Sequence, residues 1–144
     1  MQELCANNNT RLVEDAVEST HRHREVCAIT GRTGVGKTYA TKIIGRGLAD
    51  DFIYLALSRK SSRKELTVRL LRQLRRSGAL PSGEMYRLEA EITDELTDRS
   101  PMVVVDEAHG LDDVALDHIA HLHGRSEWTL ILLGSPKLAV TLAN

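Results

Sequence analysis

Residues 31–38 of this chain read Gly-Arg-Thr-Gly-Val-Gly-Lys-Thr and match the pattern G-x-x-x-x-G-K-[ST] at every fixed position. The glycines allow a loop whose backbone N–H groups surround phosphate oxygens, and the lysine reaches the β- and γ-phosphates. The run 25–30 before the loop predicts a strand, and 39–44 after it predicts a helix whose N-terminal dipole favours an anion. A chance Gly/Lys loop is the alternative, but the strand–loop–helix context favours a nucleotide-binding P-loop.

The predicted ligands follow from the loop's chemistry. The Lys37 ammonium would act on the β/γ-phosphates, and the Thr38 hydroxyl would ligate Mg²⁺. The predicted nucleotide contacts are Gly31, Arg32, Thr33, Gly34, Val35, Gly36, Lys37, Thr38 and Tyr39.

A second element, Met-Val-Val-Val-Asp-Glu at 102–107, is an apolar strand that ends in two carboxylates. Apolar residues on both faces suit a parallel strand covered by helices, and ligands bind at the carboxyl ends of such strands. We expect Asp106 to hold Mg²⁺ through a water and Glu107 to act as the general base for the attacking water. The alternative is an ordinary helix start, since Asp favours N-caps. The P-loop upstream favours the Walker B interpretation of this strand. The Glu directly after the Asp favours a P-loop ATPase that carries its catalytic base on this strand, over a GTPase or a nucleotide kinase.

Composition describes a soluble globular protein, with 42% hydrophobic and 27% charged residues. No apolar run approaches the roughly 20 residues of a membrane span. The N-terminal segment lacks the basic and apolar regions of a signal peptide. We therefore expect a cytoplasmic protein with no membrane span.

Strands and helices alternate along the chain, which predicts an α/β fold of three layers around a mostly parallel sheet of about four strands. The strands are predicted over 25–30, 52–57, 102–106 and 128–133. The helices are predicted over 10–21, from the P-loop to about Leu48, and over 62–77, 84–98, 112–123 and 137–142. We expect residues 1–24 to form an N-terminal helical segment and residues 25–144 to form the P-loop core.

Ser135 follows the last predicted strand. A hydroxyl at this position could contact the γ-phosphate or the attacking water, which would make Ser135 a third catalytic residue beside Lys37 and Glu107. A turn serine before proline explains the same residue equally well.

The segments 31–38, 103–107 and 130–136 together resemble the AAA+ ATPases. The strings Val-Val-Val-Asp-Glu-Ala-His-Gly-Leu and Leu-Ile-Leu-Leu-Gly-Ser-Pro-Lys-Leu are similar to the group that contains the transposition ATPases MuB, TnsC and TniB and the ExeA-type secretion ATPases. The likeness spans about residues 10–142. It implies ATP and Mg²⁺ as ligands, a homo-oligomer and, for the transposition members, double-stranded DNA and a transposase as partners.

The sequence also departs from the family that it resembles. The family's fifth strand, arginine finger and helical lid would follow the helix after Ser135, and the sequence ends at Asn144. We therefore expect a truncated core without a lid. Its first core strand, 25–30, would become an exposed apolar edge unless a partner covers it.

The predicted helix 62–77 places leucines on one face and arginines on the other. A solvated face is the plain interpretation, and a contact with DNA phosphates is the alternative. The candidate DNA-binding residues are Arg69, Arg72 and Arg76.

Other polar residues support weaker hypotheses. Of the histidines at 118, 121 and 123, only His118 and His121 lie near one helical face, and no third ligand is evident, so we expect no metal there. His109 completes a Asp-Glu-Ala-His string that resembles helicases, but the chain lacks room for the other helicase motifs. The sequence thus predicts an ATP-binding ATPase that regulates DNA transposition by binding duplex DNA and a transposase. An ExeA-type secretion or signalling ATPase and a catalytically inactive interaction module are the alternatives.

Overall fold

The computed structural model of the chain describes residues 2–5, 10–31, 36–57, 60–75 and 81–143. Within these residues, the five strands are β1 (Gln2–Cys5), β2 (Val26–Thr30), β3 (Phe52–Ala56), β4 (Met102–Asp106) and β5 (Thr129–Gly134). The six α-helices of the described part of the chain are α1 (Thr10–His23), α2 (Lys37–Arg46), α3 (Arg63–Arg75), α4 (Met85–Arg99), α5 (Asp113–His123) and α6 (Pro136–Ala143). Short 3-10 helices follow α2 at Ala49–Asp51 and β4 at Ala108–Gly110.

The strands form one parallel sheet in the order β1-β2-β5-β4-β3. Successive side chains of a strand point to opposite faces, so the central strands contribute side chains to two separate hydrophobic cores. Val103 and Val105 of β4 join the core on one face, and Met102 and Val104 join the core on the other. The predicted three-layer α/β fold is confirmed.

Helices cover both faces of the sheet. Helix α1 contributes Val13 and Val17 to one core, together with Ala40 of α2. The other core takes apolar side chains from the remaining four helices, among them Leu70 of α3 and Ile92 of α4. Each helix buries one stripe of side chains, which is the pattern that its 3.6-residue periodicity predicts.

One expectation about the sheet is wrong. Strand β2 was expected to form an exposed apolar edge, but β1 pairs with it in parallel from Gln2 opposite Cys27 to Cys5 opposite Thr30. The backbone groups of β2 therefore have partners on both sides, which removes the edge as a template for aggregation. Residues 2–5 form a strand rather than part of a helical segment, and the predicted domain boundary at residue 24 stays a prediction.

The register brings the carboxyl ends of three neighbouring strands together. Thr30 of β2 lies opposite Gly134 of β5, and Val105 of β4 lies opposite Leu132 of β5. The chain segments that leave β2, β4 and β5 therefore meet at one edge of the sheet, where α/β proteins bind their ligands.

Candidate functional site

The described residues of the P-loop place Lys37 at the carboxyl edge of the sheet. Gly36 adopts a left-handed conformation, with φ of 75°, directly before α2 begins at Lys37. Such a φ suits glycine, since it has no Cβ to clash with the backbone. The Lys37 side chain is buried, and its ammonium donates to the carbonyl oxygens of Gly31 at 2.6 Å and Gly134 at 3.0 Å. Arg32, Thr33, Gly34 and Val35 lie outside the described residues.

Thr38 of α2 contacts Asp106, the last residue of β4. The Thr38 hydroxyl donates to Asp106 Oδ2 at 2.7 Å, and the Tyr54 hydroxyl of β3 donates to the same oxygen. The other oxygen, Oδ1, accepts the backbone N–H of Glu107 at 2.8 Å. Three donors thus fix the orientation of one buried carboxylate, and hydrogen bonds of this charge-assisted kind are stronger than neutral ones.

Tyr54 was not among the predicted site residues. Burial raises the pKa of its hydroxyl, and the Asp106 carboxylate raises that pKa further, so the hydroxyl stays a donor at neutral pH. The Lys42 ammonium lies 4.6 Å from the centre of the Tyr54 ring, within the range of a cation–π contact. The only sequence signal was a hydroxyl within the otherwise apolar run 52–57.

Glu107 leaves the strand in a left-handed conformation, with φ of 56°. This conformation is uncommon for a residue with a side chain, and it occurs where the surrounding structure imposes it. The side chain is 45% exposed, and its Oε2 lies 3.1 Å from Nε2 of His109. The carboxylate pair does not cap α5, because Asp112 caps that helix through the Ala115 N–H at 2.7 Å. Glu107 instead precedes the short 3-10 helix Ala108–Gly110, and its side chain makes no capping hydrogen bond there.

Ser135 connects β5 to α6 and lies beside His109. Its backbone N–H donates to His109 Nδ1 at 3.2 Å. Its hydroxyl accepts the Lys137 N–H at 3.3 Å, which is an N-terminal contact of α6. The contact with Lys137 agrees with a turn serine that precedes a proline. The Ser135 hydroxyl proton can still be donated to a ligand. The sensor role of Ser135 stays a prediction.

The donors present fit Mg²⁺ and a phosphate chain. A threonine hydroxyl next to an oriented carboxylate is a set of hard oxygen ligands of the kind that Mg²⁺ prefers. The Lys37 ammonium is held at the mouth of the P-loop by two backbone carbonyls, one from each neighbouring strand end. Phosphate oxygens could replace these two neutral carbonyl acceptors.

Two further expectations concern residues near this site. Tyr39 is 61% exposed on the first turn of α2, where it remains a candidate contact for the nucleotide. Among the described residues, no group of three or more His, Cys, Asp or Glu side chains is arranged to hold a metal ion. His118 instead packs inside the helical layer, where burial lowers its pKa and its Nε2 lies 3.1 Å from the Thr67 hydroxyl.

The candidate DNA-binding arginines differ from one another. Arg69 donates to the Ala56 carbonyl oxygen at 2.7 Å, so its guanidinium is directed at the end of β3. Arg72 is exposed on α3, and Arg76 lies outside the described residues. Arg75, next along the helix, pairs with Glu91 of α4 at 2.5 Å. Among the described arginines of α3, Arg72 is therefore the exposed candidate that remains for a DNA contact.

Comparison with protein families matches residues 20–142 to the AAA domain family. The match covers most of the chain, and this chain belongs to that family of P-loop ATPases. Its members generally bind ATP with Mg²⁺, and nucleotide binding and ATPase activity are the functions that membership supports. The match is to the AAA domain and does not separate the transposition ATPases from other members. A comparison with curated protein sequences found no match.

None of the helices in the described part of the chain is both long and apolar enough to cross a bilayer. The expected cytoplasmic location stays a prediction.

Proposed function

We propose that the chain binds Mg-ATP at the carboxyl edge of the sheet and hydrolyses it slowly or with the help of a partner. The observation that carries this proposal is the convergence of Lys37, Thr38, Asp106 and Glu107 at one edge, from two separate chain segments. Each has the chemistry that its part in phosphate transfer requires.

The roles follow from the contacts. Lys37 would exchange its carbonyl acceptors for β/γ-phosphate oxygens, while Thr38 and Asp106 would hold Mg²⁺. The bound ion would neutralise charge on the phosphate oxygens. Glu107 would take a proton from water as the water oxygen bonds to the γ-phosphorus, and the bond from that phosphorus to the bridging oxygen would break, leaving ADP and phosphate.

The test is binding of Mg-ATP by calorimetry to the parent, to Lys37→Ala and to a control, Lys64→Ala. Lys64 is exposed on α3, so its removal changes the charge equally without touching the site. We expect Lys37→Ala to weaken binding by well over tenfold, in keeping with the roughly 1.5–3 kcal/mol of a hydrogen bond to a charged group. Equal affinities of parent and Lys37→Ala would refute the nucleotide site.

A narrower proposal is that the protein is a transposition-type ATPase that acts as a homo-oligomer on double-stranded DNA with a transposase. The resemblance of 103–111 and 130–138 to MuB, TnsC and TniB supports it, as does the exposed Arg72 on a helix that also carries the exposed Lys64. An ExeA-type secretion ATPase or a catalytically inactive interaction module would share the fold without the DNA contact.

The DNA proposal predicts a measurable salt effect. One lost phosphate contact reduces the slope of log affinity against log salt by about 0.9 on B-form DNA. We expect Arg72→Gln to reduce the slope by that amount for all sequences alike in an ATP-dependent duplex-binding titration. Arg22→Gln, on the exposed face of α1, is the control of equal charge. If the Arg72 and Arg22 variants keep the same slope as the parent, α3 is a solvated face.

A further inference from the structure

His109 lies between the two chain segments that carry Glu107 and Ser135. It sits in the short helix Ala108–Gly110 that follows β4, and its ring is 28% exposed. One ring nitrogen, Nε2, lies 3.1 Å from Glu107 Oε2, and the other, Nδ1, accepts the Ser135 backbone N–H at 3.2 Å. One imidazole therefore contacts both the carboxylate after β4 and the segment after β5.

The two contacts specify where the His109 proton lies. A backbone N–H can only donate, so Nδ1 must present its lone pair to Ser135. In the neutral ring the proton then lies on Nε2, and it is directed at the Glu107 carboxylate. This tautomer satisfies all three groups together, whereas a proton on Nδ1 would face the Ser135 N–H.

Glu107 has a specific need for such a contact. Its backbone is fixed by the Asp106 carboxylate and by a left-handed φ, but its side chain is 45% exposed. A long side chain in water samples several rotamers, and a general base must keep a defined position relative to its water. A hydrogen bond to Oε2 restricts the carboxylate and leaves Oε1 available to accept a proton.

We propose that His109 is a positioning residue that orients Glu107 for catalysis and couples that orientation to the backbone of Ser135. The proposal rests on the ATPase function proposed above. Because Ser135 follows β5 and Glu107 follows β4, a displacement of the segment after β5 on nucleotide binding would be passed through the imidazole to the general base. A purely structural histidine would stabilise the same turn without affecting turnover.

Substitutions can separate the two contacts. Glutamine can place an amide N–H near the position of Nε2, and asparagine can place an acceptor oxygen near the position of Nδ1. His109→Gln thus keeps a donor to Glu107, His109→Asn keeps an acceptor for Ser135, and His109→Ala keeps neither. The matched control is His121→Ala, at an exposed position of α5.

Steady-state ATP hydrolysis and Mg-ATP calorimetry are measured for each variant that shows the parent's cooperative thermal unfolding. We expect His109→Ala and His109→Asn to lower kcat about tenfold or more, a part of the roughly 10²–10⁴-fold that a positioned acid or base contributes. His109→Gln should recover much of that loss, and ATP affinity should change less than twofold in all three. In a Glu107→Gln background, His109→Ala should have no further effect. Parent kcat in His109→Ala, or equal losses with and without Glu107, would overturn the proposal.

A second measurement does not depend on turnover. Long-range ¹H–¹⁵N spectra of the nucleotide-free protein distinguish the two histidine tautomers. We expect the His109 signals, assigned by their loss in His109→Gln, to show the proton on Nε2, and Glu107→Ala to weaken that preference. A proton on Nδ1 in the parent would overturn the proposal even if the protein hydrolyses ATP. If the parent binds no ATP, the proposed function fails, while the tautomer still decides whether His109 links Glu107 to Ser135.

Discussion

Two histidines at opposite edges of the sheet are held in opposite proton arrangements. At the carboxyl edge, His109 accepts at Nδ1 from Ser135 and donates from Nε2 to Glu107. At the amino edge, His21 accepts at Nε2 from the Arg24 guanidinium at 2.9 Å, so its Nδ1 donates to the Thr129 hydroxyl at 2.6 Å. The difference lies in what each ring serves, because His21 contacts only groups that hold the fold together, whereas His109 contacts an exposed carboxylate.

The same contrast holds for backbone strain. Glu107 at one edge and Arg24 at the other both have a left-handed φ, of 56° and 54° respectively. The Arg24 side chain donates to the Ser100 hydroxyl at 3.0 Å and to the His21 carbonyl oxygen at 2.6 Å, which ties together two turns that precede strands. Strain at the amino edge is thus offset by hydrogen bonds of the fold, while strain at the carboxyl edge directs a carboxylate toward the candidate site.

The largest effect should come from Glu107→Gln. The amide cannot accept a proton from water, so turnover should fall by roughly the 10²–10⁴-fold that general-base catalysis contributes. Affinity for Mg-ATP should remain, since Glu107 contacts His109 rather than the Lys37–Thr38 pair. The measurements are steady-state hydrolysis and calorimetry on the same preparations.

Glu18→Gln is the matched control for Glu107→Gln, because Glu18 is exposed on α1. Both variants should unfold within about 0.5 kcal/mol of the parent, as exposed substitutions usually do. If Glu107→Gln keeps the parent's turnover, Glu107 is not the general base. The strained residue at the carboxyl edge would then have a structural role only, like Arg24 at the amino edge.

The sequence predicted the structure best where it contains a motif or a regular pattern of apolar residues. Apolar runs on both faces predicted β4 and β5, and the structure buries both strands completely. The strand β1 was missed because its four residues, Gln-Glu-Leu-Cys, show no apolar pattern and its partner β2 is distant along the chain. Such pairing depends on the position of the sheet edge, which local sequence does not contain.

The candidate site shows the same division. Lys37, Thr38, Asp106 and Glu107 could be assigned from two motifs, and the structure brings them to one edge of the sheet. Tyr54 could not, because its contact with Asp106 depends on the register of β3 against β4.

His109 and Arg69 show that long-range contacts of polar side chains could not be predicted from the sequence. His109 was considered only as part of a helicase string, and its contact with Ser135 requires the fold to bring the ends of β4 and β5 together. Arg69 belonged to the charged face of a predicted helix, but its guanidinium donates to the Ala56 carbonyl at the end of β3. Periodicity predicts which face a side chain occupies and does not predict which long-range acceptor it meets.

A smaller effect, on stability alone, is expected at the amino edge. Arg24→Ala removes the contacts with Ser100 and His21 and leaves a left-handed residue with a Cβ. Loss of hydrogen bonds from a charged donor should lower the free energy of unfolding by about 1–3 kcal/mol. Arg24→Gly removes the same contacts but also the strain, so it should be about 1 kcal/mol more stable than Arg24→Ala.

Denaturant unfolding of the parent and both Arg24 variants measures these differences, with Arg22→Ala as the exposed control on the same turn of chain. Mg-ATP affinity should be unchanged in all of them, because the amino edge lies across the sheet from Lys37. Weaker ATP binding by a fully folded Arg24→Ala variant would show that the amino edge and the carboxyl edge of the sheet are coupled.

The smallest expected effect is the pH dependence contributed by His21. Burial lowers the pKa of His21, and the positive charge of Arg24 lowers it further. The unfolded chain therefore takes up a proton near its ordinary pKa of about 6.5 while the folded protein does not. Stability from this group is fully present above about pH 6.5 and is lost as pH falls from there through the lowered pKa of the folded state.

Denaturant unfolding between neutral and mildly acidic pH tests this sign. The parent should lose stability as pH falls below about 6.5, and His21→Gln should reduce that slope. The reduction should be partial, since burial also lowers the pKa of His118. His23→Gln, at an exposed position two residues along α1, is the matched control and should keep the parent slope. If His21→Gln also keeps the parent slope, protonation of the amino-edge histidine does not oppose folding, and the proton arrangement assigned to His21 is wrong.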